Sequence, residues 1–335
     1  MTDEAIVRIG ILGVGAWGTA LAIACHRAGR SVLLQARNRE LVAEIRRSRV
    51  NGRYLPGIAI DPAIEVTNDP AALGGCDAVL LVCPAQAMRA SSAALRPGLR
   101  PGTPLVICAK GIESTSGALM HEVLGETLPG HPLAVLSGPN FAAEIARGLP
   151  AAVTLAAFDE GLGARLVEAI GSASFRPYLT NDVIGVEIGG AVKNVLAIAC
   201  GITVGLALGE NARAALITRG LAEMSRFGMA MGARRQTLMG LSGLGDLILT
   251  CASEQSRNMS FGIALAKGRS VEEILAERVT VAEGVGSAGI VRSLARAHGV
   301  DMPIVEAVAA LLEGGVDAMT LIGGLLERPF KSEET

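Results

Sequence analysis

The glycine-rich hexapeptide GVGAWG, residues 13–18, constrains the fold of this 335-residue chain more than any other stretch. An apolar run (VRIGIL) precedes it, a helical pattern (TALAIACHRAG) follows, and another apolar run begins at Ser31. This order predicts strand, turn, helix and strand, the context in which G-x-G-x-x-G indicates dinucleotide binding. We expect Gly13 to allow the turn, Gly15 to admit a pyrophosphate and Gly18 to let helix and strand pack. The alternative is an ordinary glycine-containing turn.

Strand and helix patterns alternate up to about residue 181. Strands are predicted at 31–36, 78–82, 105–108, 133–136, 151–156 and 174–180, helices near 38–49, 84–95 and 113–127, and a loop at 51–57. Beyond this point only helical patterns remain, such as 211–229, 271–277 and 303–314. Alternation predicts a parallel sheet covered by helices. We therefore predict an α/β fold, with a Rossmann-type, mostly parallel sheet domain (1-182) followed by an all-helical substrate domain (183-335).

Residues 183–208 are apolar or small except for two charges, Glu187 and Lys193. The chain has 26 arginines and only four lysines, so a lysine in apolar surroundings indicates a special role. Burial lowers a lysine pKa toward neutrality, whereas an arginine stays charged. We predict that Lys193 exchanges a proton, and that Gly189 and Gly190, one turn earlier, leave room for a ligand. The alternative is a lysine that extends from a core helix to solvent.

Further polar groups follow predicted strands or stand alone in apolar segments. Lys110 follows the strand LVICA, and the segment SGPNF (137–141) follows another strand, at the sheet edge where α/β proteins bind ligands. Asp246 is placed to orient a lysine or a substrate hydroxyl, and residues 256–258 (SRN) combine groups suited to phosphate. For Lys110 the alternative is a lysine in a surface loop, and for the segment SGPNF it is a simple helix cap. For Asp246 the alternative is an N-cap for a helix that starts at Leu247.

The composition argues against several classes of protein. A formal charge of −2 argues against a general nucleic-acid binder, and the longest uncharged apolar run, 195–208, is shorter than the ~18 residues of a membrane span. The six cysteines lack a C-x-x-C pair, and the acidic Asp3 and Glu4 do not fit a secretory signal. We expect a soluble, cytoplasmic protein. The four histidines are scattered, so no metal site is predicted.

The second predicted strand is followed by Gln35-Ala36-Arg37-Asn38-Arg39, without the carboxylate that binds the ribose 2′-hydroxyl in NAD-restricted Rossmann domains. Arg37 is placed to pair with a 2′-phosphate. We predict that NADPH is used at least as well as NADH. The alternative is that both arginines are solvated residues at the start of the next helix.

Taken together, these segments closely resemble the NAD(P)-dependent glycerol-3-phosphate dehydrogenases of bacteria. The resemblance extends from about residue 7 to 310 and rests on GVGAWGTALA, YLPG, AKGIE, SGPNFAAE, IGVEIGGAVKNVLAIA, NARAALITRGLAEM, GLGDLILTC, QSRN and VAEG. It implies interconversion of sn-glycerol 3-phosphate and dihydroxyacetone phosphate by hydride transfer with NADH or NADPH, supplying glycerol phosphate for phospholipids. Two positions depart from the commonest pattern of the family. Asn140 stands where serine or threonine is frequent, and Ala16 stands where serine is often found.

The resemblance also implies roles for individual residues. Lys193 would be the proton acceptor in oxidation and the donor in reduction, with Lys110 and Asp246 beside it. The implied substrate site comprises Lys110, Gly138, Asn140, Lys193, Asp246, Ser256, Arg257 and Asn258. The implied cofactor site comprises Gly13, Gly15, Ala16, Trp17, Gly18, Arg37, Lys110, Ala142, Arg257, Val281 and Glu283.

Two other functions remain open from the sequence. One is another hydroxyacid-type dehydrogenase, such as a ketopantoate-like enzyme, and the other is a non-catalytic NAD(P)-binding sensor. The expected partner is a small-molecule phosphate. The oligomeric state stays open, with a homodimer as one option.

Overall fold

A computed structural model describes residues 5–277, 282–315 and 317–326. Its strands are β1 (Arg8–Leu12), β2 (Ser31–Gln35), β3 (Val50–Asn51), β4 (Leu55–Ala59), β5 (Glu65–Thr67), β6 (Ala78–Leu81), β7 (Leu105–Ile107), β8 (Leu133–Ser137), β9 (Ala151–Ala157) and β10 (Phe175–Thr180). Eight of them form one sheet in the order β10-β9-β8-β7-β6-β1-β2-β5. All neighbours are parallel except β8 and β9, so six strands run one way and β9 and β10 run the other.

Helices cover both faces of this sheet and are the regular structure of the described residues after Thr180. They are α1 (Ala16–Arg27), α2 (Arg39–Ser48), α3 (Met88–Ala93), α4 (Met120–Thr127), α5 (Ala142–Arg147), α6 (Glu160–Ile170), α7 (Val183–Gly205), α8 (Gly209–Ala230), α9 (Arg235–Leu238), α10 (Asp246–Cys251), α11 (Arg257–Ala266), α12 (Val271–Glu277), α13 (Glu283–Ala297), α14 (Pro303–Leu312) and α15 (Ala318–Leu326). None of the described residues after Thr180 lies in a strand.

Alternate residues of the central strands supply two apolar layers. Ile9 and Ile11 of β1 pack on the face covered by α1, α2, α5 and α6. Val79 and Leu81 of β6 pack on the opposite face with α3, α4 and the first turn of α7, where Val183 lies. The strands are buried on both faces, as is typical of a parallel sheet. The predicted fold class is confirmed, whereas the domain boundary after residue 182 stays a prediction.

Helix α7 is the centre of the helical part, where α8, α10, α11, α13 and α14 all pack against it. Gly201 allows the close approach of α11, because a Cβ there would lie 2.0 Å from the carbonyl oxygen of Met259. By length and composition alone α7 is long enough to cross a membrane, but 94% of its most apolar window is buried inside the protein. It has the character of a core helix.

The two charged side chains of α7 are both buried and both have partners. Glu187 accepts a hydrogen bond from the backbone N–H of His121 at 2.9 Å, and its other carboxylate oxygen lies 2.5 Å from His121 Nδ1. This contact joins α7 to the N-terminal turn of α4 on the sheet. The other charge, Lys193, belongs to the site described below.

Two local predictions were wrong and one short strand was missed. The predicted loop 51–57 contributes to a hairpin of β3 and β4, which Asn51 ties to the glycine turn by donating to the carbonyl of Val14 at 2.7 Å. The predicted helix 113–127 forms only at α4, because the Glu113 carboxylate binds Arg89 and holds the preceding segment as a loop. The short strand β5 was missed, since three residues carry too little pattern to detect.

Candidate active site

The turn between β1 and α1 has the form that its glycines predict. Gly13 has a φ of +118°, and a Cβ there would lie 2.5 Å from the carbonyl oxygen of Val82. A Cβ at Gly18 would lie 1.9 Å from the carbonyl oxygen of Gly13, whereas one at Gly15 would meet nothing within 4 Å. Within the described structure, the N-terminus of α1 has no side-chain cap and no acid in its first turn. Its free N–H groups and the open space at Gly15 fit a dinucleotide pyrophosphate.

The carboxyl ends of the parallel strands gather the predicted residues at one edge of the sheet. Gly13 follows β1, Arg37 follows β2, Lys110 follows β7 and Gly138 follows β8. Cys83 lies shortly after the end of β6 at this edge. Burial raises the pKa of its thiol to about 11, and the charges of Glu283 in α13 and of Arg37 also act on it.

Three charged side chains meet beneath this edge. The Asp246 carboxylate accepts hydrogen bonds from Lys193 Nζ at 2.7 Å and from Lys110 Nζ at 2.6 Å, each on its own oxygen. Lys193 Nζ also donates to Thr250 Oγ1 at 2.7 Å, and Lys110 Nζ donates to the carbonyl oxygen of Gly138 at 2.9 Å. Asp246 therefore joins the catalytic candidate on α7 to the sheet.

This arrangement excludes the alternatives for the three residues. Lys193 is 6% exposed and does not reach solvent, and Lys110 is ion-paired rather than free on the surface. Asp246 is not an N-cap, because α10 begins at Asp246 itself, directly after the π-helical turn Leu241–Gly245.

Burial and the cluster's own charges set its protonation. Burial lowers the pKa of Lys193 from 10.5 to about 8, although the Asp246 carboxylate opposes this change. Burial alone raises the pKa of Asp246, but the two ammonium groups lower it by more, so it lies below its usual value. Lys193 therefore changes charge near neutral pH while Asp246 stays ionised.

The predicted ligand space at Gly189 and Gly190 is absent, so that prediction was wrong. A Cβ at Gly189 would lie 2.6 Å from the carbonyl oxygen of Ser242, and one at Gly190 would lie 3.1 Å from Ser137 Oγ and 3.4 Å from Lys110 Cγ. Protein atoms fill both places. The two glycines serve instead to bring the π-helical turn and Lys110 against α7.

A chain of amide hydrogen bonds runs beside the charged cluster. Asn194 donates to the carbonyl oxygen of Lys110 at 3.1 Å, and its own side-chain oxygen accepts from Asn258 Nδ2 at 2.8 Å. Asn258 Oδ1 accepts from the N–H of Gly284 at 3.0 Å. Sequence reasoning missed Asn194 and Thr250. The sequence indicates these two residues only through their position, because Asn194 follows Lys193 and Thr250 lies one helical turn after Asp246.

The SRN tripeptide opens helix α11. Ser256 is a helix cap that accepts from the N–H of Met259 at 3.2 Å, and Arg257 is the first, exposed residue of the helix. The charge of Arg257 acts on Glu283 at the start of α13; burial nevertheless raises the pKa of that carboxyl to about 7. Asn140 Nδ2 donates to the carbonyl of Gly138 at 3.0 Å, while its Oδ1 has no partner among the described residues.

The remaining predicted cofactor residues lie at helix starts. Ala16 and Trp17 begin α1, and Ala142 begins α5. The indole N–H of Trp17 is buried and has no partner among the described residues. Val281 lies outside the described residues. In the part of the chain that the structure describes, no group of His, Cys, Asp and Glu side chains is placed to hold a metal ion.

Comparison with known proteins shows which sequences and structures the chain is similar to. The profile of the NAD-dependent glycerol-3-phosphate dehydrogenase N-terminus matches residues 8–162, and that of the C-terminus matches residues 182–323. The chain is 56% identical over 326 residues to the glycerol-3-phosphate dehydrogenase (NAD(P)+) of Caulobacter vibrioides, covering 97% of this chain and 98% of that protein. It is 55% identical over 333 residues to the enzyme of that name from Rhodospirillum rubrum, covering 99% and 95%.

Among solved structures, the glycerol-3-phosphate dehydrogenase of Coxiella burnetii superposes with a TM-score of 0.93 at 40% identity, covering 98% of this chain and 100% of that one. Sequence profiles, full-length relatives and a solved structure thus all indicate the same family. The chain belongs to the NAD-dependent glycerol-3-phosphate dehydrogenase family.

Proposed function

We propose that this protein interconverts sn-glycerol 3-phosphate and dihydroxyacetone phosphate with NADH or NADPH. The observation that carries the proposal is the buried Lys193–Asp246–Lys110 cluster, which lies at the same sheet edge as the glycine turn. The turn is suited to bind the pyrophosphate of a dinucleotide cofactor, and the cluster is suited to transfer a proton. The reaction requires both the cofactor and the proton transfer.

Lys193 holds the proton that the substrate oxygen gains or loses. When bound, the nicotinamide cofactor supplies or accepts the hydride at C2. In reduction, the protonated amine of Lys193 donates to the carbonyl oxygen, and in oxidation the neutral amine accepts the hydroxyl proton. A pKa of about 8 lets both forms exist near neutral pH. Asp246 orients the amine, and Lys110, fixed by Asp246 and Gly138, orients the substrate oxygen.

The remaining residues divide between the two ligands. We assign to the substrate site Gly138, Asn140, Ser256, Arg257 and Asn258. We assign to the cofactor site the start of α1, Arg37, Ala142 and Glu283. Their support is position: each lies at a strand end of the sheet edge or at the start of a helix.

A turnover assay tests the function. NADH and NADPH oxidation are followed with dihydroxyacetone phosphate and, separately, with 2-keto acids such as ketopantoate. We expect turnover with the phosphate alone. Turnover only with a keto acid would favour the other hydroxyacid-type dehydrogenase, and cofactor binding without turnover would favour a sensor.

Arg257 is expected to bind the substrate phosphate, because its guanidinium at the start of α11 offers a fork of hydrogen-bond donors. A hydrogen bond to a charged group contributes ~1.5–3 kcal/mol, so Arg257→Ala should lower kcat/KM for dihydroxyacetone phosphate by roughly 10–150-fold. Unphosphorylated dihydroxyacetone should lose far less. The matched control is Arg269→Ala, which removes an arginine paired with Glu277 elsewhere. Equal losses on both substrates would place Arg257 on the cofactor alone.

Arg37 is expected to favour the 2′-phosphate of NADPH, because residues 35–39 at the end of β2 include no Asp or Glu that would repel that group. Arg37→Asp should therefore shift the ratio of kcat/KM values toward NADH. Arg47→Asp, an exposed charge reversal in the last turn of α2, serves as control. A strong wild-type preference for NADH, or an unchanged ratio in the variant, would contradict this assignment.

The cellular setting is proposed on narrower grounds. All six cysteines are free thiols and five are buried, which supports a reducing compartment such as the cytoplasm. There the product would supply glycerol phosphate for phospholipid synthesis. We also propose that residues 1-182 and 183-335 are separate domains, and light scattering would test whether the protein is a homodimer.

A further inference from the structure

The π-helical turn Leu241–Gly245 packs directly on α7 at Gly189. A Cβ atom at Gly189 would lie 2.6 Å from the carbonyl oxygen of Ser242 and 3.2 Å from Cα of Gly243. Both are backbone atoms, so no side-chain rotation relieves the contact. The missing Cβ therefore sets how closely this turn approaches α7.

The turn is also enclosed on the side of α9. A Cβ at Gly243 would lie 1.9 Å from the carbonyl oxygen of Leu238, the last residue of α9. The N–H of Gly245 donates to the carbonyl oxygen of Gly240 at 3.0 Å and closes the turn. A close-packed interior transmits a displacement instead of absorbing it.

This turn leads directly into Asp246, the first residue of α10. Gly189 and Lys193 are four residues apart on α7 and so lie on the same face of the helix. Any displacement of the turn away from Gly189 moves the Asp246 carboxylate relative to the Lys193 amine, which it binds at 2.7 Å.

We propose that Gly189 is a positioning residue, whose missing side chain holds the π-helical turn close enough to α7 for Asp246 to orient Lys193. It acts through the turn and does not touch the substrate. The proposal rests on the proposed function, because it presumes that Lys193 transfers the proton.

Moving Asp246 away from Lys193 should change the pKa of Lys193 in a definite direction. The groups that act on the Lys193 amine are Asp246 and Cys251 from α10 and Lys110 from the loop after β7. Asp246 raises the pKa of Lys193, and Coulomb attraction weakens with distance, so moving the carboxylate away lowers that pKa below about 8. Oxidation requires the neutral amine, and its rate rises with pH through this pKa. The rising limb of the pH profile should therefore move to lower pH.

Gly189→Ala tests the proposal. Displacement of a catalytic group by about 1 Å costs up to ~10²-fold, so we expect kcat to fall by roughly 10–100-fold with a smaller change in KM. The rising limb of the oxidation profile should shift to lower pH. A variant that keeps the wild-type kcat, and whose rising limb lies at the same pH as in the wild type, would overturn the proposal.

Gly205→Ala is the matched control on the same helix. Its Cβ would lie 2.5 Å from Ala266 Cβ and 3.0 Å from the carbonyl oxygen of Ile263, so it strains the packing on α11 without touching the π-helical turn. We expect a lower Tm and an unchanged pH limb. A limb shift of the same size in Gly205→Ala would show that general loss of packing, not the turn, moves the profile.

A second variant keeps the proposal testable if Gly189→Ala does not fold. Ser242→Gly loosens the same turn without a clash and should shift the limb in the same direction by a smaller amount. If the rising limb of Ser242→Gly lies at the same pH as in the wild type, the proposal is overturned. Wild-type turnover of dihydroxyacetone phosphate reports on the proposed function separately, so a failure of the function and a failure of the positioning role give different results.

Discussion

Lys193→Arg is expected to lower kcat by ~10²–10⁴-fold, the usual contribution of general acid–base catalysis. The substitution keeps the positive charge beside Asp246 but provides no group that can lose and regain a proton, because a guanidinium stays protonated at any pH of the assay. The rising limb that the wild-type enzyme should show near pH 8 in oxidation should also disappear, since that limb reports the pKa of Lys193.

The control for this experiment is Lys267→Arg, a change of the same kind at an exposed position after α11. It should leave both kcat and the pH profile unchanged. Near-normal turnover in Lys193→Arg would show that the buried amine does not carry the proton. Measuring both directions guards against a change in the rate-limiting step.

The place of Lys193 in the candidate site was predictable because its signal is local and compositional. A lysine in a long apolar run, in a chain that otherwise uses arginine, has few roles apart from chemistry. The glycine turn was predictable for a similar reason, since Gly13 and Gly18 meet hard steric limits within a few residues of chain. Five of the six strands that run in the same direction, all except the three-residue β5, followed from apolar runs between helical patterns.

The sequence indicated that Asp246 could orient a lysine, but the full geometry around Lys193 was not predictable because it depends on long-range packing. Asp246 is 53 residues from Lys193 and 136 from Lys110, and no local pattern reports that one carboxylate binds both. The same limit explains the wrong prediction at Gly189 and Gly190. A glycine in a helix indicates that another group approaches closely, but not whether that group is a ligand or another part of the protein.

Asp246→Asn is the second substitution expected to have a large effect. The amide keeps the shape of the carboxylate but leaves Lys193 and Lys110 without the charge between them. Breaking a buried ion pair by removing one partner typically costs ~3–5 kcal/mol, so the free energy of unfolding should fall by about this amount. Repulsion from Lys110 also lowers the pKa of Lys193, and we expect kcat to fall by roughly 10²-fold or more with the pH limb moved to lower pH.

Glu223→Gln separates the loss of stability from the loss of chemistry. Glu223 is another buried carboxylate, on α8, and it accepts hydrogen bonds from the N–H groups of Ile304 and Val305 at the start of α14. Its amide variant should lose ~0.5–2 kcal/mol of stability, as expected when a helix cap is weakened. Because Glu223 does not touch the lysines, its kcat and pH profile should match the wild type. If Glu223→Gln reproduced the kinetic defect of Asp246→Asn, destabilisation alone would account for both, whereas a defect confined to Asp246→Asn assigns the carboxylate to the chemistry of Lys193.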